Sequence, residues 1–327
     1  MRQYSNQTNL PLPIAVWLAH DTYDGNQVGG LSATTLLKPT RQIILSQRIP
    51  PGEGIVDVSA LIKSAIGRAI HDAIEQAWTH EKLHTTLTSL GIPDKVAKRI
   101  LVNPDSIPGG KPVVPIYLEK RTEKKVLGLN ITGKFDFIAD GRVHDFKTTS
   151  TFAYTSSNKD DDYILQGSIY RWLNPDIITD DIMSIIFIFS DWNKNRYLSD
   201  REKYPHAQIV SRDFKLLPEA TVQKFVEDKI AEINACIDLD EADLPLCTDK
   251  DLWRKEDTFK YYKNPGAVGR STKNFDNYHE AQIKFIEDGS VGRIDTVKGT
   301  AQACLYCPAF TVCSQKDALL EAGELKI

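Results

Sequence analysis

Apolar residues recur every three or four positions between residues 58 and 78. Side chains at this spacing share one side of an α-helix, so the pattern predicts a long amphipathic helix. His71 lies on this helix, one turn before Glu75. Two shorter helices are predicted before it, one beginning at Ser32 as its N-cap and one running through Ile43 and Leu45, each ending ahead of a proline.

Strand-type segments alternate with further helices in the next part of the chain. Strands are predicted over residues 112–118, 125–131, 131–138, 142–148 and 182–189. The third and fourth of these flank Asp140-Gly141, a pair typical of a tight turn, and therefore predict an antiparallel hairpin. Helices are predicted over residues 163–173 and 219–237. This order of elements predicts an α/β fold.

The length of the chain, 327 residues, is enough for one large domain or two modest ones. The composition changes after an acidic segment at residues 238–243, beyond which three cysteines cluster. The sequence therefore divides into an N-terminal helical segment at residues 1–50, a core at residues 51–235 and a cysteine-containing lobe at residues 236–327.

Charge and cysteine content exclude several classes of protein. With 40 Lys and Arg against 44 Asp and Glu, the net charge of -4 gives no overall positive field that would attract nucleic acid or an anionic membrane. Five cysteines are too few, and an odd number, for a disulfide framework. The apolar stretch at residues 10–19 contains two prolines and is too short to span a bilayer. We expect a cytoplasmic protein, in the host cytoplasm if it is phage-encoded, with no membrane partner.

Two carboxylates and an ammonium group converge on the predicted hairpin. Asp136 lies near the end of its first strand, and Asp145 and Lys147 are two positions apart on its second strand, so their side chains share one face. Paired carboxylates are ligands that Mg²⁺ or Mn²⁺ prefers, and they leave room for water and a phosphate. Lys147 would then orient or deprotonate the attacking water. The alternative is a solvated hairpin face with a cross-strand ion pair.

Four further residues are candidate members of this site. His71 is either a metal ligand or a packing residue of its helix, and Glu119 is either an additional acid or a surface charge. Gln166 and Tyr170 share one helix face because four positions separate them. They would reach toward the metal or the DNA backbone, or else Tyr170 is a core residue and Gln166 faces solvent.

The ordered set resembles the RecB-like branch of the PD-(D/E)xK nuclease superfamily. The matching positions, over about residues 58–190, are His71 in GRAIHDAIE, Asp136 in GKFD, Asp145 and Lys147 in DFK, and Gln166 with Tyr170 in QGSIY. The resemblance implies a restriction-endonuclease-like core at residues 51–235, in which a mixed central sheet is flanked by helices.

The resemblance also implies roles for these residues. It makes His71, Asp136, Asp145 and the backbone carbonyl of Phe146 the ligands of Mg²⁺ or Mn²⁺. Lys147 is then catalytic, and the residues that complete the catalytic set are Asp136, Asp145, Gln166 and Tyr170.

Candidate ligands for a second metal lie near the C terminus. Cys304, Cys307 and Cys313 fall within ten residues, and Cys247 is the candidate fourth ligand, which leaves Cys236 as a spare thiol. Four thiolates suit a 4Fe-4S cluster or a structural Zn²⁺. The spacing resembles the iron-sulfur nuclease domains of AddB and of CRISPR-associated adaptation nucleases, although there the remaining ligand precedes the nuclease motifs. The resemblance implies a cysteine-stapled lobe, with iron-sulfur expected ahead of zinc.

A basic and aromatic stretch separates Cys247 from the other three cysteines. Residues 258–275 contain no acidic side chain. Cations that pair with phosphates and rings that stack on bases are typical of nucleic-acid contacts, whereas the alternative is buried rings and solvated lysines. The candidate DNA-binding residues are Lys260, Tyr261, Tyr262, Lys263, Arg270 and Lys273.

The ordered motifs predict a hydrolase, a metal-dependent DNA nuclease. We expect an exonuclease that acts on single strands or duplex ends in recombination, repair or phage genome processing, with a recombination or replication protein as a further partner. One alternative is a catalytically inactive nuclease fold that binds DNA or protein and is stabilised by a cysteine-bound metal. A second is a metal-stabilised interaction protein in which the hairpin has no chemical role.

Overall fold

The computed structural model describes residues 3–20, 30–50, 55–110 and 112–327. These residues form a mixed α/β structure with several multi-stranded sheets, so the predicted class is confirmed. The helices are α1 Leu12–Ala19, α2 Ala33–Leu36, α3 Thr40–Gln47, α4 Ile62–Thr79, α5 Leu83–Ser89, α6 Asp94–Ala97, α7 Thr151–Ser156, α8 Asp160–Leu173, α9 Lys194–Ser199, α10 Glu219–Cys236, α11 Tyr278–Glu287 and α12 Ser314–Glu321. The strands are β1 Tyr4–Ser5, β2 Gly30–Ser32, β3 Val56–Asp57, β4 Ile100–Val102, β5 Val114–Leu118, β6 Arg121–Val126, β7 Leu129–Lys134, β8 Phe137–Ala139, β9 Arg142–Thr149, β10 Ile182–Phe189, β11 Ile209–Lys215, β12 Thr258–Tyr262, β13 Lys273–Phe275 and β14 Arg293–Val297.

The chain divides into two compact units. The first, which we call the core unit, comprises residues 1–37 and 55–232. The second, the C-terminal unit, comprises residues 38–54 and 233–327. No helix of the described residues is both long and apolar enough to cross a membrane.

The predicted helices of the core unit form where the sequence places them. Ser32 is the N-cap of α2, and its hydroxyl accepts a hydrogen bond from the backbone N–H of Thr35 at 3.0 Å. The long amphipathic segment starts as a 3-10 turn at Val58–Leu61 and continues as α4. Side-chain caps of this kind satisfy N–H groups that have no partner within the helix.

The largest sheet of the core unit has six strands in the order β11-β10-β9-β8-β5-β4. Strand β9 is parallel to β10 and antiparallel to β8, so the sheet is mixed. A parallel pair requires a crossover connection, and α8 lies in the one between β9 and β10. Strand β10 has the predicted bounds.

A close contact between α8 and β10 fixes the helix that carries Gln166 and Tyr170. A Cβ at Gly167 would lie 2.2 Å from Met183 Sδ of β10, so a larger residue would have to displace the Met183 side chain. Ile169 and Tyr170 are buried on this helix. The fold therefore holds α8 at a defined depth behind the sheet.

The predicted hairpin is present, but its first strand is shorter than expected. Strands β8 and β9 are joined by Asp140 and Gly141, whose φ angles of 49° and 79° suit the twist of a two-residue turn. The prediction of one strand over residues 131–138 is wrong because the chain bends at Asp136. Before the bend β7 belongs to a separate sheet of order β2-β7-β6, and after it β8 belongs to the six-stranded sheet.

The prediction of a strand over residues 125–131 is also wrong. The chain reverses at Leu127 and Gly128, both with positive φ (45° and 89°), and β6 pairs with β7 as a second hairpin. Gly128 is a residue type typical of such turns, but leucine rarely adopts this backbone conformation, so Leu127-Gly128 is a weaker turn signal than Asp140-Gly141.

The C-terminal unit contains a three-stranded antiparallel sheet of order β13-β12-β14. Helix α11 packs against it through Ala281, which is fully buried with Tyr261 and Phe275. A second apolar cluster includes Leu252, Ala301 and Leu319, and Cys247 and Cys304 pack at its edge.

Candidate active site

An open cleft of about 650 Å³ lies in the core unit, beside the bend between β7 and β8. It collects side chains that are far apart in the sequence. Its lining includes His71 from α4, Glu119 after β5, Asp136 at the bend and Lys147 from β9.

Three side chains with metal-binding atoms converge in this cleft. The Nδ1 atom of His71 lies 3.4 Å from Asp136 Oδ1 and 3.9 Å from Glu119 Oε1. All three ligand atoms lie within 4.8 Å of one another, and no other group of three His, Cys, Asp or Glu side chains converges so closely within the described part of the chain. The structure therefore brings together His71, Asp136 and Glu119, the residue for which the sequence left two interpretations open.

The second nitrogen of His71 is held by β9. His71 Nε2 lies 2.9 Å from the carbonyl oxygen of Phe146, and the Phe146 N–H donates to Asp136 Oδ2 at 2.8 Å. A carbonyl oxygen only accepts, so this contact places a proton on Nε2 and turns Nδ1 toward the two carboxylates. The Phe146 carbonyl, expected as a metal ligand, thus orients the imidazole in this structure.

Glu119 adopts a strained backbone conformation. Its φ angle is +50°, a value that costs a residue with a side chain of the order of 1–3 kcal/mol. Its N–H donates to the carbonyl oxygen of Asp136 at 3.2 Å, and its carboxylate forms an ion pair with Lys134. The left-handed turn is what directs this carboxylate into the cleft beside Asp136.

Asp145 and Lys147 form a second charged pair on β9. Their side chains are two positions apart and share one face, as predicted, with Lys147 Nζ 2.6 Å from Asp145 Oδ2. Asp145 is 1% exposed, whereas a quarter of the Lys147 side chain is exposed. This contact with Lys147 is what balances the charge of the buried Asp145 carboxylate.

A chain of polar contacts continues from Lys147 onto α8. Lys147 Nζ donates to Gln166 Oε1 at 3.3 Å, and Gln166 Nε2 donates to the Tyr170 hydroxyl at 2.7 Å. The ring of Tyr163 lies 5.7 Å from the same ammonium group. Gln166 and Tyr170 therefore support Lys147 from α8, and Tyr170 also lines the cleft.

Burial and charge shift the pKa values of the whole cluster. Burial raises the pKa of Asp145 to about 6, although the charge of Lys147 opposes the shift. Burial also raises the pKa of Asp136, but the hydrogen bond and charge of His71 outweigh it, so this pKa lies below its usual value. Burial lowers the pKa of His71, but the contacts with Asp136 outweigh it and the pKa is raised. Burial raises the pKa of Glu119. Perturbed carboxylates that face one cleft are typical of functional sites.

Two of the DNA-binding residues predicted in the basic stretch at residues 258–275 are buried in the structure. Tyr261 is fully buried and donates to Asp288 Oδ2 at 3.0 Å, and Tyr262 is buried beneath Arg293. Neither ring is available to stack on a base, so the prediction is wrong for these two residues: they point to opposite faces of β12, Tyr261 into the apolar cluster with Phe275 and Ala281 and Tyr262 beneath Arg293. The remaining candidates are Lys260, which is partly buried, and Lys263, Arg270 and Lys273, which are exposed.

Four of the five cysteines line one small cavity of the C-terminal unit. The cavity, of about 40 Å³, is bordered by Cys247, Cys304, Cys307 and Cys313. Burial raises the pKa of the Cys247 thiol to about 12, and burial also raises the pKa values of Cys304 and Cys307. Cys236 does not line the cavity and lies in an apolar cluster with Ile44 and Leu244, against which Cys307 and Cys313 also pack.

Sequence reasoning did not single out Arg41, which borders the cysteine cavity. Its guanidinium group is 2% exposed, donates from Nε to Cys313 Sγ at 3.4 Å and forms an ion pair with Glu241. It also donates to the carbonyl oxygens of Glu241 and Leu244 at 3.1 Å. Arg41 lies 272 positions from Cys313, and no local pattern connects the two.

Comparisons with known proteins give only distant matches. No protein-family model matches the chain. No curated protein matches it. A solved structure described as SSO0001 is 17% identical, with 67% of this chain and 81% of that chain covered and a TM-score of 0.37. A phage-related exonuclease from Haemophilus somnus 129PT is also 17% identical, with 62% of this chain and 96% of that chain covered and a TM-score of 0.24.

Proposed function

We propose that this chain is a metal-dependent DNA nuclease that hydrolyses phosphodiester bonds. The observation that carries the proposal is the convergence of His71, Glu119 and Asp136 within 4.8 Å, next to the buried pair of Asp145 and Lys147. An imidazole nitrogen and several carboxylate oxygens form a donor set that suits Mg²⁺ or Mn²⁺.

The residues present fit a divalent cation. Asp145 is 1% exposed, and a buried carboxylate is costly unless a cation such as Lys147 or a metal ion lies beside it. His71 and Asp136 would hold the ion with Asp145, and Glu119 adds a further carboxylate beside them. When bound, a divalent cation polarises a phosphoryl oxygen and lowers the pKa of water.

Lys147 is the residue we assign to proton handling and charge stabilisation. Its ammonium group is fixed by Asp145 on one side and by Gln166 on the other. A cation held in this way orients a water molecule and stabilises negative charge on a phosphoryl group during attack. Tyr170 acts through Gln166, which it contacts at 2.7 Å.

The cysteine cavity would hold a structural metal group in the C-terminal unit. Four thiols around one cavity suit either a 4Fe-4S cluster or Zn²⁺, and the resemblance of the cysteine spacing to iron-sulfur nuclease domains favours the cluster. The role we assign to this group is structural, since the cleft of the core unit contains the residues for hydrolysis.

The proposal extends to the biological setting expected from the sequence motifs. The substrate is DNA, as single strands or duplex ends, and the mode of action is that of an exonuclease. The setting is recombination, repair or phage genome processing in the cytoplasm, with a recombination or replication protein as partner.

Degradation of end-labelled linear DNA, with circular DNA of the same sequence alongside, tests the proposal. The protein with Mn²⁺ should degrade the linear molecule, and Lys147→Ala and Asp136→Ala should abolish this activity. Lys82→Ala, an exposed cation outside the cleft, is the matched control and should keep it. Binding of DNA without cleavage above the Lys147→Ala level would instead favour the inactive nuclease-fold module.

A further inference from the structure

The N-terminal half of α4 contributes a polar stripe to the cleft that the proposed catalysis does not use. Lys63, Ser64, Gly67 and Arg68 all line the cleft, and His71 follows them on the same helix. Residues four positions apart lie on one helix face, about 6 Å apart along the axis. The stripe therefore runs to His71 in two equal steps, from Lys63 to Gly67 and from Gly67 to His71.

The two cations of the stripe, Lys63 and Arg68, have no ion-pair or hydrogen-bond partner among the described residues. Two lysines elsewhere in the cleft differ in this respect, because Lys134 pairs with Glu119 and Lys147 pairs with Asp145. The stripe therefore offers two positive charges that none of the described residues neutralises, in the same cleft as the acidic residues of the candidate active site.

Gly67 determines how closely a ligand can approach the helix. It lies inside an 18-residue helix, where glycine is less favourable than alanine. A Cβ at this position would meet nothing within 4 Å, so no neighbour in the described part of the chain requires the side chain to be missing. Folding alone would favour alanine here, whereas a ligand whose backbone passes close to the helix would favour glycine.

We propose that a single DNA strand lies along the first turns of α4, with its sugar-phosphate backbone over Gly67 and its phosphates paired with Lys63 and Arg68. The inference rests on the proposed nuclease function, since it brings the next phosphate to His71 and Asp136. One helical step of about 6 Å matches the separation of neighbouring phosphates along an extended strand. A stripe one helix face wide contacts one sugar-phosphate backbone, which a single strand satisfies without a partner strand.

Fluorescence anisotropy of a labelled 12-nucleotide single strand, without divalent metal, tests this path. Lys63→Ala and Arg68→Ala should each raise the Kd about 3- to 10-fold near 0.1 M salt and reduce the salt slope by about 0.7. Gly67→Ala changes no charge, yet it should raise the Kd by a similar factor while raising Tm by roughly 2 °C.

Two control variants separate binding from folding. Ala69→Gly, at an exposed position of α4 outside the cleft, should lower Tm and leave the Kd unchanged. Lys82→Ala removes a charge outside the cleft and should leave the Kd nearly unchanged.

The outcomes distinguish this inference from the proposed function. If Gly67→Ala binds as tightly as the unaltered protein, or if Lys63→Ala and Arg68→Ala behave like Lys82→Ala, the path along α4 is wrong even when the protein still degrades DNA. If a blunt duplex binds as tightly as the strand and Gly67→Ala weakens both equally, the assignment of a single strand is overturned. If the unaltered protein neither binds nor degrades DNA, the proposed function itself fails.

Discussion

The imidazole Nε2 of His71 lies 2.9 Å from the carbonyl oxygen of Phe146, which stands between the two charged residues of β9. Because that contact fixes a proton on Nε2, only Nδ1 is left for a second proton or for a metal ion. Nδ1 faces Asp136 at 3.4 Å. A proton and a divalent cation therefore compete for the same nitrogen atom.

We predict that Mn²⁺ binding weakens as the pH falls through the pKa of His71. Burial lowers this pKa, but the hydrogen bond and charge of Asp136 outweigh it and raise it above the usual value near 6.5, so competition extends to neutral pH. Titration calorimetry in two buffers of different ionisation enthalpy should show proton release on binding near pH 7. His71→Gln should abolish the proton release and weaken Mn²⁺ binding at least ten-fold.

His84 provides the matched control for that experiment. It is a more exposed histidine that also pairs with an aspartate, Asp94, at 3.0 Å. His84→Gln should leave both the proton release and the affinity unchanged. Release that persists in His71→Gln would contradict the assignment of Nδ1 as a ligand.

We predict that breaking the ion pair between Asp145 and Lys147 destabilises the folded protein in a pH-dependent way. Lys147→Met leaves the buried Asp145 carboxylate without its cation, and the free energy of unfolding at pH 8 should fall by roughly 1–3 kcal/mol. This is less than for a fully buried pair because a quarter of Lys147 is exposed. Burial already raises the pKa of Asp145 to about 6, and loss of Lys147 should raise it further. The unpaired carboxyl should therefore take up a proton as the pH falls toward 6, and the loss of stability should be smallest at pH 5.5.

Urea unfolding at pH 5.5 and pH 8 measures this effect. The double variant Asp145→Asn/Lys147→Met should lose less than the sum of the single variants, because the two residues interact directly. Lys134→Met, which breaks the more exposed pair with Glu119, is the control and should cost less than about 1 kcal/mol. Equal losses at both pH values would show that the ion pair is not their source.

Local sequence predicted the parts of this site that depend on local geometry. The shared face of Asp145 and Lys147 follows from the period of two along a strand, and the turn at Asp140-Gly141 follows from its residue types. The bend at Asp136 could not be predicted, because strand-type residues continue through it. It arises where the chain leaves one sheet for another.

Long-range contacts determine the rest of the site. Glu119 joins His71 and Asp136 only because its left-handed backbone turns the carboxylate into the cleft. The composition of residues 258–275 predicts that Tyr261 and Tyr262 lie on a binding surface. Composition alone does not indicate which face of β12 is covered. In the structure both are buried, one within the apolar cluster below α11.

If four cysteines are metal ligands and Cys236 is not, substitutions of the two kinds of cysteine should differ in their effect on bound metal. Cys304→Ser removes a thiol of the shared cavity and should abolish bound metal and any visible absorption of the purified protein. Cys236→Ser, in the apolar cluster with Ile44 and Leu244, should keep the full metal content and cost about 1 kcal/mol of stability. Metal analysis and absorption spectra of the two variants check this, and equal metal loss in both would refute the division.

We predict that the ionised carboxylate of Asp57, just before α4, stabilises the folded protein and that this stabilisation is lost in acid. Its carboxylate accepts hydrogen bonds from the Ser59 hydroxyl at 2.6 Å, the Ser59 N–H at 3.0 Å and the Gln7 N–H at 2.6 Å. These bonds, the Ser59 hydroxyl first, hold the pKa of Asp57 well below its usual range. A carboxyl with a lowered pKa stabilises the folded protein above its unfolded pKa, near 3.9, and this stabilisation is lost as the pH falls.

Asp57→Asn should therefore lower the urea midpoint clearly at pH 7 and less at pH 3. At pH 3 the carboxylate of the unaltered protein contributes less to the free energy of unfolding. Asp176→Asn, at an exposed position, is the control and should give the same small difference at both pH values. The amide introduced by Asp57→Asn retains one oxygen acceptor but no charge, so a residual difference at low pH measures hydrogen-bond geometry alone. A difference that grows toward pH 3 would contradict the lowered pKa, because the sign of the linkage would then be reversed.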